Sequence, residues 1–192
     1  MKIGIDIDEV LADFVNPLVE FHNGEYGTNL KRNDFKSFNL RETWGGTYED
    51  DLRKVYEFFN SNFCGKIVPL KGSQEAINFL SKSNEMITIS SRPNYIVDET
   101  KKWINNYYLR CFRDTRFTYQ VKSNVGVKKR AICLEEDIGV LIEDVLNNVI
   151  SCSEVVDKVI LFDAPWNQSN GLPKNVTRIK NQNWSEVLEV LK

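Results

Sequence analysis

The run Ile138-Gly-Val-Leu-Ile142 is apolar along its whole length, so both of its faces must be buried at once. A half-exposed strand alternates between apolar and polar; this one reads as the middle of a parallel sheet with helices on either side. The remainder of the chain supplies the partners. Residues 2–7 alternate with Ile3, Ile5 and Ile7 and predict a first strand, and helical spacing takes over at Val10, Phe14, Leu18 and Phe21. After Pro69 the pattern is regular: helix 71–82 with Ala76, Ile77 and Leu80 inward, strand 85–90, helix 95–109 and a weaker strand 116–120. Helix 128–136, the central strand 138–142, helix 146–152, a last strand 155–162 and a closing helix 184–191 complete it. Alternation of this kind predicts an α/β fold, a doubly wound parallel sheet.

One stretch breaks the rhythm. Residues 23–68 turn aromatic and polar, with Gly24, Gly27 and Trp44-Gly45-Gly46 as breakers and one helix expected near 48–60. The expected division is a core of residues 1–22 and 69–192, with residues 23–68 as a small, mostly helical cap inserted after the first strand. Trp44, Tyr48 and Phe63 in the insert suit either its own small core, the simpler reading, or a pocket lining.

Composition excludes several classes of function. With 25 basic and 27 acidic residues the net charge is -2, which gives no electrostatic reason to expect a nucleic-acid polymer or an anionic membrane as partner. The four cysteines, Cys64, Cys111, Cys133 and Cys152, contain no C-x-x-C pair, so zinc-ribbon and thioredoxin-like readings have no basis. Acids at positions 6, 8 and 9 interrupt the N-terminal apolar run, which is not a signal peptide, and no apolar stretch approaches the roughly 20 residues of a membrane helix. A soluble cytoplasmic protein is expected. His22, the only histidine, is expected on a helix surface, which leaves no histidine-dependent chemistry.

In open parallel sheets ligands bind beyond the carboxyl ends of the strands, where strand order reverses. The residues found there are Asp6 and Asp8 after the first strand, Ser90, Ser91 and Arg92 after the second, and Glu143-Asp144 after the central one. Lys128 and Lys129 open the preceding helix. Two aspartates, a hydroxyl, an ammonium and an acidic pair are therefore expected on one edge of the sheet.

This set resembles the haloacid dehalogenase-like superfamily, whose four motifs occur in order: Ile3-Gly-Ile-Asp6-Ile-Asp8-Glu-Val10-Leu11, Met86-Ile-Thr-Ile-Ser90, Lys129, and Val140-Leu-Ile-Glu143-Asp144. Within it the chain is similar to the 5'(3')-deoxyribonucleotidase group, through the run from Asp6 to Phe14, the Pro165-Trp166-Asn167 turn and the late Trp184. Glu143 stands where that motif more often has aspartate, and the aromatic insert has no clear counterpart. The resemblance implies a phosphatase that forms an aspartyl-phosphate on Asp6, with Asp6, Asp144 and the backbone carbonyl of Asp8 as Mg²⁺ ligands. It implies Asp8 as general acid and base, Ser90 and Lys129 on the phosphoryl oxygens, and Phe14, Ser91 and Arg92 toward the substrate. The implied substrate is a small phosphomonoester, a nucleoside monophosphate by resemblance, and a homodimer is compatible with it.

The chemistry is coherent without the family. A phosphomonoester dianion repels a carboxylate nucleophile, and Mg²⁺, with its preference for oxygen ligands, suits the gap between them. Carboxylates crowded round Asp8 are expected to keep it protonated for its acid role. Several choices stay open: Lys128 or Lys129, Glu143 or Asp144 as direct ligand, Arg92 on substrate or on an acid, and Phe14 in core or pocket. A same-mechanism phosphatase for sugar phosphates and a catalytically silent phospho-ligand binder are the rival functions.

Overall fold

The computed structural model describes residues 1–118 and 125–192, with side chains described from Lys129 onward in the second span. Six strands form one sheet in the order β3-β2-β1-β4-β5-β6, every pair parallel. They are β1 (Lys2–Ile5), β2 (Glu85–Ser90), β3 (Asp114–Phe117), β4 (Val140–Glu143), β5 (Lys158–Phe162) and β6 (Val176–Ile179). The helices are α1 (Val15–Tyr26), α2 (Arg41–Trp44), α3 (Tyr48–Phe59), α4 (Ser73–Leu80), α5 (Val97–Tyr107), α6 (Val125–Glu135), α7 (Leu146–Ser153) and α8 (Trp184–Val190). The doubly wound fold expected from the sequence is the one observed.

Alternate side chains feed two cores, one on each face. Ile3, Ile5, Val140, Ile142, Ile160 and Phe162 point to the face covered by α1, α4 and α8, where Leu18, Ile77 and Val187 meet them. Ile87, Ile89, Leu141, Val159 and Leu161 point the other way, against Ile132 and Cys133 of α6 and Val149 and Cys152 of α7. Gly4 sits where β1 is most crowded. A Cβ there would come within 2.9 Å of Ile89 Cδ1 and 3.3 Å of Ile138 Cγ2, so only glycine fits without displacement. The central strand β4 is buried at every position, the charged Glu143 at its end included.

Three expectations need correction. The first strand ends at Ile5, and α1 begins at Val15 rather than Val10. Between them the Ile7 carbonyl accepts the N–H groups of Val10, Leu11 and Ala12, and Glu9 adopts a left-handed φ of 60°, which helix cannot continue through. Val10, which is buried, and Phe14, which is partly buried, therefore do not share one helix face despite their helical spacing. Second, β6 was not expected; Thr177 and Arg178 break its apolar pattern, and only pairing with β5 makes it a strand. Third, His22 is 1% exposed rather than on the surface: its ring stacks on Trp44 at 4.8 Å, and Nδ1 lies 2.8 Å from Thr28 Oγ1. Gln120, the expected end of the third strand, lies outside the described residues; β3 closes at Phe117.

The segment between α1 and α4 leaves and rejoins the rest of the chain at one place. Ala12 bridges antiparallel to Pro69, Asp13 N–H donates to the Val68 carbonyl at 2.9 Å, and Leu70 N–H donates to the Leu11 carbonyl at 2.8 Å. Within the segment Phe58 is fully buried between Phe14 and Phe21. Trp44 and Phe63 are partly buried against the core, while Tyr48 is 53% exposed and belongs to neither core nor enclosed pocket. Among the described residues no helix is long and apolar enough to cross a membrane.

Candidate active site

Strand register delivers the acids to one point. Ile5 is level with Ile142 of β4 and with Thr88 of β2, so Asp6, Glu143 and Ser90 all emerge at the same edge, where strand order reverses about β1. Asp6 N–H donates to the Ile142 carbonyl at 3.0 Å, which extends the pairing one residue past β1 and fixes the Asp6 backbone against β4. Carboxylate oxygens of Asp6, Glu143 and Asp144 lie within 4.8 Å of one another, and all three residues are buried.

Lys129 is the cation inside this cluster. Its Nζ donates to Asp6 Oδ1 at 2.8 Å and to Glu143 Oε2 at 2.7 Å. Glu143 is further bound by Val145 N–H at 3.0 Å and Asn148 Nδ2 at 3.2 Å, both on Oε1. Glu143 is thus committed to holding Lys129 and the start of α7. Asp144 instead accepts a hydrogen bond from Trp166 Nε1 at 2.7 Å on Oδ2. Lys128 lies among the residues whose side chains are outside the description.

Charge in the cluster does not balance. Among the described residues three buried carboxylates face one ammonium, two positive charges short, and their proton affinities shift accordingly. Burial, then the Glu143 charge, and last the Asp8 charge push the Asp6 carboxyl up to about 8 although Lys129 pulls it down. Burial, followed by Glu143, Asp6 and Glu9, raises Asp144 well above the ordinary carboxylate range. Burial alone would lower Lys129, but the Asp6 and Glu143 carboxylates outweigh it and hold the ammonium protonated. A divalent, oxygen-seeking cation matches the deficit in both charge and donor type.

The other expected residues are distributed around this centre. Asp8 is gripped by Arg92, with Nε 3.1 Å from both oxygens and Nη2 2.7 Å from Oδ1. Arg92 is itself buried, donates from Nη1 to Thr100 Oγ1 at 3.3 Å, and lies 5.9 Å from the rings of Phe59 and Trp103. Ser90 is fully buried, its hydroxyl accepting Arg92 N–H at 3.1 Å. Ser91 accepts from Thr118 Oγ1 at 3.0 Å. Phe14 packs edge-on to Phe58 at 5.4 Å and against Phe59 at 5.9 Å, at the seam between the 7–14 loop and α3.

Sequence reasoning missed two contributors. Glu9 is 2% exposed, accepts the N–H groups of Phe14 (3.0 Å) and Val15 (2.7 Å), and pairs with Arg32 of the inserted segment. Trp166 and Asn167 were noted only as part of a familiar turn; their bonds to Asp144 depend on a loop whose course the sequence does not disclose.

A family model described as "5' nucleotidase, deoxy (Pyrimidine), cytosolic type C protein" matches residues 1–192. The chain belongs to this family. Two relatives of this nucleotidase-family chain, both described as 5'(3')-deoxyribonucleotidase, come from Bacillus subtilis (strain 168) and from Bacillus phage SPbeta. Each is 26% identical over 189 residues, covering 96% of this chain and 95% of theirs. In fold it is similar to a haloacid dehalogenase-like family hydrolase from Streptococcus pneumoniae, with a TM-score of 0.75 at 11% identity, covering 100% of this chain and 98% of that one. It is also similar to a HAD-superfamily hydrolase of subfamily IA from Geobacter sulfurreducens, with a TM-score of 0.63 at 14% identity, covering 100% and 96%. The chain thus belongs to a nucleotidase family, a class of phosphatase, and its fold is similar to that of haloacid dehalogenase-like hydrolases.

Proposed function

We propose that this protein is a Mg²⁺-dependent phosphomonoesterase working through an aspartyl-phosphate on Asp6, with a deoxynucleoside monophosphate as its substrate. The observation that carries the reading is the meeting of Asp6, Glu143 and Asp144 within 4.8 Å beside the Lys129 ammonium, two positive charges short among the described residues. Relatives described as 5'(3')-deoxyribonucleotidases, matched over almost their whole length, support the substrate class.

Asp6 and Asp144 side chains and the Asp8 carbonyl would hold the cation. A bound Mg²⁺ supplies the positive charge that lets a carboxylate approach a doubly charged phosphoryl group. Asp6 attacks phosphorus, and the P–O ester bond breaks as the Asp6–phosphorus bond forms. Asp8 delivers its proton to the leaving oxygen, then accepts one from the water that attacks the intermediate, releasing phosphate and restoring Asp6. This role requires Asp8 to leave the Arg92 fork. A phosphoryl dianion is the natural competitor for a guanidinium, so substrate itself can free the acid. Lys129 and Ser90 stabilise the equatorial oxygens, and Phe14, Ser91 and Arg92 face the substrate. Residues 23–68 act as the cap that excludes water over a core of residues 1–22 and 69–192, with α1 carrying the chain from one to the other. The reading places the protein in the cytoplasm, free of nucleic-acid polymers and membranes, and allows a homodimer.

Phosphate release from 5' and 3' deoxynucleoside monophosphates, beside ribonucleotides and sugar phosphates, tests the reading directly. Release should need Mg²⁺, vanish in Asp6→Asn, and fall roughly 10²- to 10⁴-fold in Asp8→Asn with the fold intact. Full rate in chelator or in Asp6→Asn ends the mechanism. Preference for sugar phosphates ends the nucleotide assignment alone.

A further inference from the structure

The Pro165-Trp166-Asn167 turn sits beyond the end of β5, on the far side of Asp144 from Asp6's strand. It is firmly built. Asn167 is fully buried; its Nδ2 donates to the backbone carbonyls of Asp144 at 2.6 Å and Phe162 at 2.7 Å. Its Oδ1 accepts from Ala164 N–H at 3.1 Å and from Arg178 Nη1 of β6 at 2.6 Å, while Arg178 Nη2 reaches its carbonyl at 2.8 Å. On this base Trp166 presents its indole N–H to Asp144 Oδ2 at 2.7 Å. The Arg32 guanidinium lies 4.8 Å from the centre of the same indole and is ion-paired with buried Glu9.

We propose that Trp166 is a positioning residue for the cation site: its N–H fixes the rotation of the Asp144 carboxylate, and Arg32 holds the indole in place. The proposal rests on the reading of Asp6 and Asp144 as Mg²⁺ ligands. Carboxylate rotation about its last torsion is broad and nearly two-fold, so an unrestrained Asp144 samples many oxygen positions. Mg²⁺ tolerates little departure from octahedral geometry and is sensitive to such freedom. Indole suits the task because it donates one hydrogen bond and accepts none, which makes a carboxylate oxygen the natural partner. It is also neutral. A lysine or arginine at this place would fix Asp144 equally well but would supply part of the missing positive charge and so compete with the cation.

The test is Mn²⁺ binding to the substrate-free protein, followed by the paramagnetic resonance signal of free Mn²⁺, with thermal unfolding measured in chelator alongside. Trp166→Phe keeps a ring under Arg32 and removes the donor. Benzothienylalanine incorporated at position 166 keeps the fused rings and replaces the N–H by sulfur. Both should bind Mn²⁺ about 10- to 100-fold more weakly than wild type, with melting temperatures in chelator within a few degrees of it. Wild-type affinity in both variants overturns the positioning role and leaves the metal reading standing. Weakened binding confined to Trp166→Phe, with a matching fall in its metal-free melting temperature, also overturns it by assigning Trp166 to the fold alone. A wild-type protein that binds no Mn²⁺ overturns both readings.

Discussion

His22 shows how one side chain can be misplaced by pattern alone. Its position on α1 predicts solvent, yet Trp44 and Tyr26 close over it, and burial, followed by the nearby Lys54 charge, lowers its imidazole from 6.5 to about 4. The sign follows directly. Between about pH 6.5 and pH 4 the unfolded chain binds a proton at His22 that the folded chain refuses, so stability falls as pH drops through that window and is unaffected above it. In His22→Phe the loss between pH 7 and pH 4.5 should be smaller than in wild type, read as melting temperature against pH; equal slopes would remove His22 from the account. The candidate site residues are a different case. Asp6, Asp8, Ser90, Lys129 and Asp144 follow from strand-end positions and motif resemblance, and the fold brings Asp6, Lys129 and Asp144 into one cluster. Of the two places open to Arg92, the structure has it on an acid, and that the acid is Asp8, 84 residues away, is a pairing to which spacing has no access.

Among elements, those with buried periodic faces were legible and those held by neighbours were not. Helices α3, α4, α5 and α8 and strands β2 and β4 lie where their apolar patterns placed them, within the usual drift at the ends. Both β6 and the 7–14 loop depend on tertiary pairing, the first on β5 and the second on Val68 and Pro69. Helix α3 carries its own start signal: Thr47 Oγ1 accepts Asp50 N–H at 3.2 Å, and Asp50 returns the bond to Thr47 N–H at 2.9 Å. Thr47→Ala should cost about 1 kcal/mol. Because the hydrogen bonds of Thr47 lie within its own helix start, amide exchange should quicken about fivefold in α3 if that segment opens separately, and leave β1 and β4 unchanged. Uniform quickening across the sheet would show instead that α3 and the sheet open as one unit.

For the molecule as a whole, the inserted segment and the sheet are tied by a few polar links at the site's rim. Arg32 reaches Glu9, which also accepts Gln182 Nε2 at 3.2 Å from the chain's last loop, so three distant stretches converge on one buried acid. Burial raises the Glu9 carboxyl despite the Arg32 charge and the Val15 N–H group that both favour its ionised form. Arg32→Met strands that acid and should cost roughly 2–3 kcal/mol in urea unfolding, less than a fully buried pair because Arg32 is partly exposed. No measurable change would mean that Gln182 and the two backbone N–H groups satisfy Glu9 alone. Local order alone determined the parallel sheet except for β6, most of its helices and the acids at its strand ends, because periodicity and burial act over a few residues and are written in the chain. Tertiary structure decided the Arg92 fork on Asp8, the Trp166 bond to Asp144 and the burial of His22. Each of these joins residues whose separation is fixed by how loops fold back, and the energy of such a contact exists only once the core has set both ends in place.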